Sequence, residues 1–359
     1  MHTLPVLPLS RRTFLGRVGR VAGGATLAAC VSGTFPVVPA SAGDASTLTV
    51  AVAQPHSIAH LPLLLAHTLG YFQAEGLQVE LSPHATEDRA VQAVLRGHAA
   101  VVACTYARAL QQHARGGEWQ SFLLQLRAPQ VVLGVSTKTL RHYRTPADLR
   151  GRRVGVLASV APGQMVLGAV LQSAGFKPSD ALLVVADSSD ELLARYQAGE
   201  LDALSVNDPM VTWLEQRGEI RVLADTRSVH GTRALLGGPV PGGAMCAPLA
   251  WLSAFPEECQ SLANGLVRAL KWLQTAGPTD LIKALPEAAM GPDRGVYLSA
   301  FDKARGAFSP DGLLSADAAA AALTAYARLD PALLGLGLNT LPRTYTNQFA
   351  LKAKARFRA

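Results

Sequence analysis

The chain has little of what marks most recognisable chemistries. Only four of its 359 residues are cysteine. Their positions, Cys30, Cys104, Cys246 and Cys259, give neither a metal-type pair nor a disulfide framework. Three of them lie beyond residue 42, so at least one thiol is unpaired there, and buried apolar cysteines are expected. There is no Gly-x-Ser-x-Gly elbow, no P-loop and no His-Glu-x-x-His. The Gly-Leu-Gly-Leu-Asn at 335–339 lacks the third glycine of a dinucleotide fingerprint and does not follow a β-α unit with the right spacing. No dense lysine or arginine cluster is present, which removes the case for nucleic acid. Charge of one sign is also scarce. The formal charge is +7, but Arg11, Arg12, Arg17 and Arg20 precede residue 43 with no acid among them. Without them 29 basic residues face 26 acidic ones, or +3. The Lys352, Lys354, Arg356, Arg358 tail reads as a solvated terminus.

What is there begins with "SRRTFLGRVGRVAGGATLAAC" at residues 10–30. A basic stretch is followed by a charge-free run from Val21 to Ala42, the layout of a secretory signal. The run holds Gly23, Gly24, Gly33, Pro36 and Pro39 and falls short of the ~20 strongly apolar residues of a spanning helix. Ser10-Arg11-Arg12-Thr13-Phe14-Leu15 resembles the twin-arginine export signal, which is read as an address. Residues 1–42 are expected to be this segment. Ala40-Ser41-Ala42 fits cleavage before Gly43. Leu27-Ala28-Ala29-Cys30 fits a lipobox instead, with Cys30 lipidated as the first residue. In both cases the product lies outside the cytoplasmic membrane.

The remaining 317 residues repeat themselves. "LTVAVAQPHSIAHLPLLLAHTLGYFQAEGLQVEL…AVVACTY" runs parallel to "RRVGVLASVAPGQMVLGAVLQSAGFKPSDALLVV…LDALSVND". Each copy has a short β-branched run (Leu48–Ala53; Arg153–Leu157) and then a helical pattern closed by a glycine and an apolar residue (Gly76-Leu77; Gly175-Phe176). Each goes on to a second strand, a short amphipathic helix (Glu87–Leu95; Asp190–Gln197), a capping glycine (Gly97; Gly199) and a third strand. Strands alternating with helices predict mostly parallel sheets flanked by helices. Two copies predict two α/β lobes forming a clamshell that closes around a small ligand. Ligands of open parallel sheets sit outside the carboxyl ends of the strands. Those ends are Gln54–His60 and Cys104–Tyr106 in one lobe, and Ala158–Gln164 and Asn207–Asp208 in the other.

The segments "LLLAHTLGYFQAEGLQVEL", "DLRGRRVGVLASVAPGQM", "AGELDALSVNDPMVTWLEQRG" and "YTNQFA" resemble the nitrate/sulfonate/taurine-type periplasmic substrate-binding proteins of ABC importers. The resemblance covers residues 47–350 and implies a type II periplasmic-binding-protein-like fold. It divides the chain into 43–137 (lobe one, first part), 138–240 (lobe two) and 241–359 (completion of lobe one and C-terminal helices). The chain crosses between lobes near Val135–Leu140 and returns through "GGAMCAPLAWL". The resemblance implies a monomer with a small-molecule solute, a permease and its ATPase as partners, no cofactor and no catalysis. Relatives in that superfamily bind pyrimidine precursors of thiamine, so a pyrimidine, thiamine-precursor or aromatic solute is an alternative. A ligand sensor feeding a membrane signalling protein is another. The branch that synthesises the thiamine pyrimidine carries a cysteine-rich motif that is missing here.

The expected ligand-binding residues are Gln54, His56, His60, Thr105, Tyr106, Ala161, Gly163, Gln164, Asn207 and Asp208. His56, His60 and His67 have no completing carboxylate or thiolate, so no metal is expected. His60 is read as a polar contact in the cleft. Pro162 suits a first helical turn, and the free amides of Gly163, Gln164 and Met165 would suit an anion. Asp208 would accept from an amine, as in a zwitterion such as taurine, or cap the helix after Pro209. The solute is accordingly expected to be anionic or zwitterionic. Relatives that grip sulfonates carry hydroxyls where Gly163-Gln164 stands, which counts against a strict sulfonate ligand.

Overall fold

The computed structural model describes residues 46–158 and 161–359, with the side chains of Ser46 and Ala161 left aside. The export segment, both cleavage points and Cys30 lie outside the described residues. The fold consists of two five-stranded sheets with helices on their faces.

The first sheet has the order β2-β1-β3-β10-β4 and the second β7-β6-β8-β5-β9. The strands are β1 (Ser46–Ala53), β2 (Leu77–His84), β3 (Val101–Thr105), β4 (Trp119–Leu124), β5 (Val131–Ser136), β6 (Arg153–Leu157), β7 (Leu182–Ala186), β8 (Ala203–Asn207), β9 (Ile220–Asp225) and β10 (Gly243–Pro248). The two orders superimpose position by position. In each sheet three strands of one β-α-β-α-β unit run parallel. The fourth position is held by the strand that arrives from the other sheet, and it runs antiparallel to both neighbours. The chain thus exchanges one strand in each direction, which ties the two sheets together.

This topology corrects the expected crossing point. β5 pairs with β8 and β9, both in the second sheet. The chain therefore leaves the first sheet through residues 125–130, not near Val135–Leu140. It returns ahead of β10, which pairs with β3 and β4.

Local chemistry sets the helix boundaries in the same way in both units. Helices α1 (Leu61–Thr68), α2 (Glu87–Leu95) and α3 (Ala107–Ala114) follow the strands of the first sheet. Helices α4 (Ala161–Ser173), α5 (Ser189–Gln197), α6 (Met210–Gln216) and α7 (Val229–Leu236) follow those of the second. The Thr86 hydroxyl accepts from the Arg89 amide at the start of α2, and the Ser188 hydroxyl accepts from the Glu191 amide at the start of α5. Acids fill both first turns, where they favour the helix dipole. Gly97 (φ 75°) and Gly199 (φ 77°) follow the two helix ends in the left-handed region, which glycine adopts without a side-chain clash.

The C-terminal part supplies α8 (Leu249–Ala254), α9 (Pro256–Thr275), α10 (Pro278–Ala284), α11 (Arg294–Ala304), α12 (Ala316–Ala327) and α13 (Gln348–Phe357). Helix α9 packs on α1 and α13 beside the first sheet. Helix α12 joins α3 of the first unit to the core that also holds Met165 and Leu236 of the second. Cys104, Cys246 and Cys259 are all free and buried, as expected for apolar thiols. Among the described residues, no helix is long and apolar enough to cross a membrane.

Candidate ligand-binding site

The carboxyl ends of β1, β3 and β8 and the start of α4 meet between the sheets. They enclose a small deep chamber of about 40 Å³. A second, outer chamber of about 710 Å³ lies beside it. Gln54, Ser57 and Asn207 line both, so they form the wall between the two.

The turn after β1 builds that wall. Gln54 takes a left-handed conformation (φ 52°), and its carbonyl accepts from the Ser57 amide at 2.9 Å. This turn aims Ser57 at the end of β8, where the Asn207 carboxamide nitrogen lies 3.4 Å from the Ser57 hydroxyl. A long hydrogen bond therefore joins the two lobes at the cleft.

The deep chamber contains a carboxylate that sequence reasoning missed. Glu87, at the first position of α2, is 5% exposed. Its carboxylate accepts from the Thr105 amide (2.8 Å), the Thr105 hydroxyl (3.1 Å) and Arg108 Nε (3.0 Å). In the sequence it looks like an ordinary first-turn acid. Only the packing of α2 against β1 and β3 turns it inward. Arg108 balances its charge, as a buried carboxylate requires.

His60 lies in the same chamber and is 6% exposed, with Nδ1 buried and unpartnered. Burial pushes its pKa down to about 4. The imidazole is therefore neutral around pH 7 and offers a hydrogen-bonding atom rather than a charge. Cys104 also lines the chamber, and burial followed by its hydrogen bond with Cys246 holds the thiol well above its ordinary range.

The outer chamber lies between the second unit and the segment before and within α11. Its walls are mostly apolar, with Leu193, Met210, Trp213, Met290, Val296 and Tyr297 among them. Asp190, Asp208 and Asp293 also line it. Among the described residues, no lysine or arginine lines either chamber.

Several expected site residues converge. Gln54, His60, Thr105 and Asn207 line the deep chamber, and Gln54, His56, Asn207 and Asp208 line the outer one. Asp208 is already engaged: one oxygen accepts from the Thr212 amide (2.9 Å) and the other from Arg227 (3.3 Å). It thus caps the helix region after Pro209 and is neutralised by a buried arginine. Arg227 also pairs with Glu215 and Asp225, and Lys303 of α11 reaches across to Glu215 at 2.5 Å.

Other expected residues do not reach either chamber. Tyr106 is fully buried beyond the end of β3, with its hydroxyl on Thr344. Thr344 donates its own proton to the Leu341 carbonyl, so Tyr106 is the donor. Alternation along the strand end sends Thr105 to the cleft and its neighbour to the opposite side. Gly163 packs on β8, its carbonyl accepting from the Ser205 hydroxyl at 2.7 Å. Gln164 is exposed and lines neither chamber. Pro162 does face the deep chamber. Two residues further on, the helix has turned about 200°, which carries Gln164 away from it. The side chain of Ala161 lies outside the described residues. Among the described residues, no group of three or more His, Cys, Asp or Glu is placed to hold a metal ion.

Two mixed sheets with a cleft at their strand ends define the class: a two-lobed periplasmic-binding-protein fold. The chain belongs to the NMT1/THI5-like family, whose match spans residues 57–224, within the substrate-binding group that the sequence resembles. A solved protein of Bordetella bronchiseptica RB50 is 35% identical, with 87% of this chain and 98% of that one aligned at a TM-score of 0.78. The alkanesulfonate-binding protein SsuA of Xanthomonas axonopodis pv. citri, solved with MOPS bound, is 18% identical. It shares the fold at a TM-score of 0.68 over 85% of this chain and 100% of that one. The nitrate import ATP-binding protein NrtC of Synechococcus elongatus is 24% identical over 221 residues, 58% of this chain. The chain spans 32% of the length of that curated relative.

Proposed function

We propose that the protein is the extracytoplasmic solute-binding component of an ABC importer. The observation that carries this reading is the convergence of both units' strand ends on one cleft whose deep end holds an unpartnered, buried imidazole nitrogen. The lobes open about the segments that join the sheets, a solute is seated, and the lobes close over it. The closed complex then docks on a permease and its ATPase and releases the solute. SsuA, a protein of the same fold that binds alkanesulfonates, supports this reading. No covalent step is included. Among the described residues Cys104 is the one thiol that lines the cleft, and burial keeps it protonated, so it is a poor nucleophile.

The solute is proposed to be neutral, zwitterionic or amine-bearing. Among the described residues, a plain anion would find no lysine or arginine on the walls and would face carboxylates. The expected anion grip by Gln164 has no support in the cleft. A pyrimidine or other aromatic solute is the second reading, favoured by Trp213 and the apolar walls around it. Export through the twin-arginine signal, with Gly43 or an acylated Cys30 as the first residue, places the protein in the periplasm or at the cell surface. A sensing role would use the same cleft.

Native mass spectrometry of the protein purified from the periplasm tests the reading. A retained small molecule is expected, and adding it to solute-free protein should reduce the radius of gyration in solution scattering. The proposal fails if the protein carries no solute and its scattering is unmoved by taurine, nitrate, alkanesulfonates, aminopyrimidines and simple amines. Lysine at both Arg11 and Arg12 should retain the precursor in the cytoplasm; unchanged export would remove the twin-arginine part.

A further inference from the structure

We infer that the outer chamber is the seat of the solute's body, and that the solute is an amine carrying an aromatic or alkyl group. The inference rests on the solute-binding reading above and adds a ligand class to it.

Size decides first. The deep chamber, about 40 Å³, has room for a water or one small polar group. Ligand pockets usually measure roughly 300–1,000 Å³, and the outer chamber, at about 710 Å³, falls in that range. A solute with more than a few atoms must therefore lie mainly in the outer chamber. A polar end can reach the wall formed by Gln54, Ser57 and Asn207.

The walls decide the chemistry. Trp213 is half-buried, and the Arg217 guanidinium sits 4.5 Å from its ring centroid. One face of the indole is thereby fixed and the ring is held in place before a ligand arrives. Such preorganisation lowers the cost of binding. Met210 and Met290 provide adaptable apolar surface nearby. The Tyr297 hydroxyl is buried and has no partner, while the residue is only 1% exposed and lines this chamber. A buried hydroxyl without a partner is costly, and a bound molecule with a donor or acceptor would satisfy it.

Charge selects the head group. Asp190, in the first turn of α5, and Asp293, whose Oδ1 caps α11 by accepting from the Val296 amide (3.0 Å), line the chamber and are exposed, and neither has a cationic partner among the described residues. Asp208 adds a third carboxylate, already matched by Arg227. An ammonium group is drawn to this wall and a carboxylate or sulfonate is repelled.

The test uses the full mature chain with ethylamine, hexylamine, benzylamine and benzoate as probes, followed by calorimetry and by tryptophan fluorescence. Hexylamine and benzylamine should bind at least about tenfold more tightly than ethylamine, because each buried methylene adds to affinity. Benzoate should bind at least tenfold more weakly than benzylamine. Trp213→Ala should abolish the advantage of the longer probes, and Trp213→Phe should retain most of it while removing the fluorescence response. Tyr297→Phe should weaken a probe that reaches the hydroxyl by severalfold. Equal binding of ethylamine and benzylamine, binding of benzoate as tight as benzylamine, or no binding of any amine each overturns the assignment. The importer reading is decided separately by the carried solute and the scattering response.

Discussion

The Asn207 carboxamide donates to the Ser57 hydroxyl across the cleft, and the two residues belong to different lobes. Lys303 of α11 makes a second bridge, to Glu215 of α6. Burial raises the Glu215 carboxyl, but hydrogen bonds from Arg227 and Lys303 outweigh it and hold the pKa below the ordinary range. Under the proposed opening and closing of the lobes, these contacts favour the closed form. Asn207→Ala removes a neutral hydrogen bond of about 0.5–1.5 kcal/mol, so the open form should gain about two- to tenfold in population. Lys303→Met removes a partly exposed pair of about 0.2–1 kcal/mol and should act in the same direction, as should added salt. Solution scattering of each variant without solute checks this: radii equal to that of the parent protein would show that the contacts do not hold the lobes together.

Acidification should destabilise the protein through His60. Its native pKa of about 4 lies below the ordinary value of 6.5, so the unfolded chain takes up the proton at a higher pH than the native one. The stabilising contribution is present above pH 6.5 and is lost as pH falls towards 4. At one pKa unit per 1.36 kcal/mol, the full loss is at most about 3.5 kcal/mol. Denaturant melts at pH 7 and pH 4.5 should differ less in His60→Gln than in the parent protein. Identical differences would assign the acid sensitivity elsewhere.

Two residues read from the sequence as ligand contacts should prove silent in binding. Tyr106→Phe removes the donor to Thr344 and should cost about 1 kcal/mol of stability, with affinity for the carried solute unchanged. Gln164→Ala, at an exposed position, should leave stability within about 0.5 kcal/mol and affinity within twofold. Calorimetry on both variants decides; a tenfold loss in Gln164→Ala would return the helix start to the site.

Gly163 is required by close packing rather than by a ligand. A Cβ there would stand 2.7 Å from the Ser205 carbonyl oxygen, a backbone atom. Gly163→Ala should destabilise by about 1–3 kcal/mol, read as a lowered melting temperature. An unchanged melting temperature would show that α4 shifts freely on β8.

The sequence by itself determined the repeated unit. Strand runs at Arg153–Leu157 and Ala203–Asn207, helices at Glu87–Leu95 and Ser189–Gln197, and left-handed glycines at 97 and 199 are local properties. Each depends on neighbours within a few residues, so pattern and capping chemistry reveal them. The strand-end rule then pointed to Gln54, His60, Thr105 and Asn207 because a parallel sheet leaves its loops at one edge. Only the tertiary structure decided the rest. The exchange of β5 and β10 between sheets depends on pairings as distant as β3 with β10, which no local pattern encodes. Tyr106 and Gln164 lie beside true cleft residues in the chain, but the pleat and the helical turn point them elsewhere. For Glu87, the sequence offers only a place in the first turn of a helix; the inward packing of α2 brings Thr105 and Arg108 to its carboxylate. The charge of the cleft was equally hidden, since it depends on which side chains burial neutralises and which partners they meet in the folded chain.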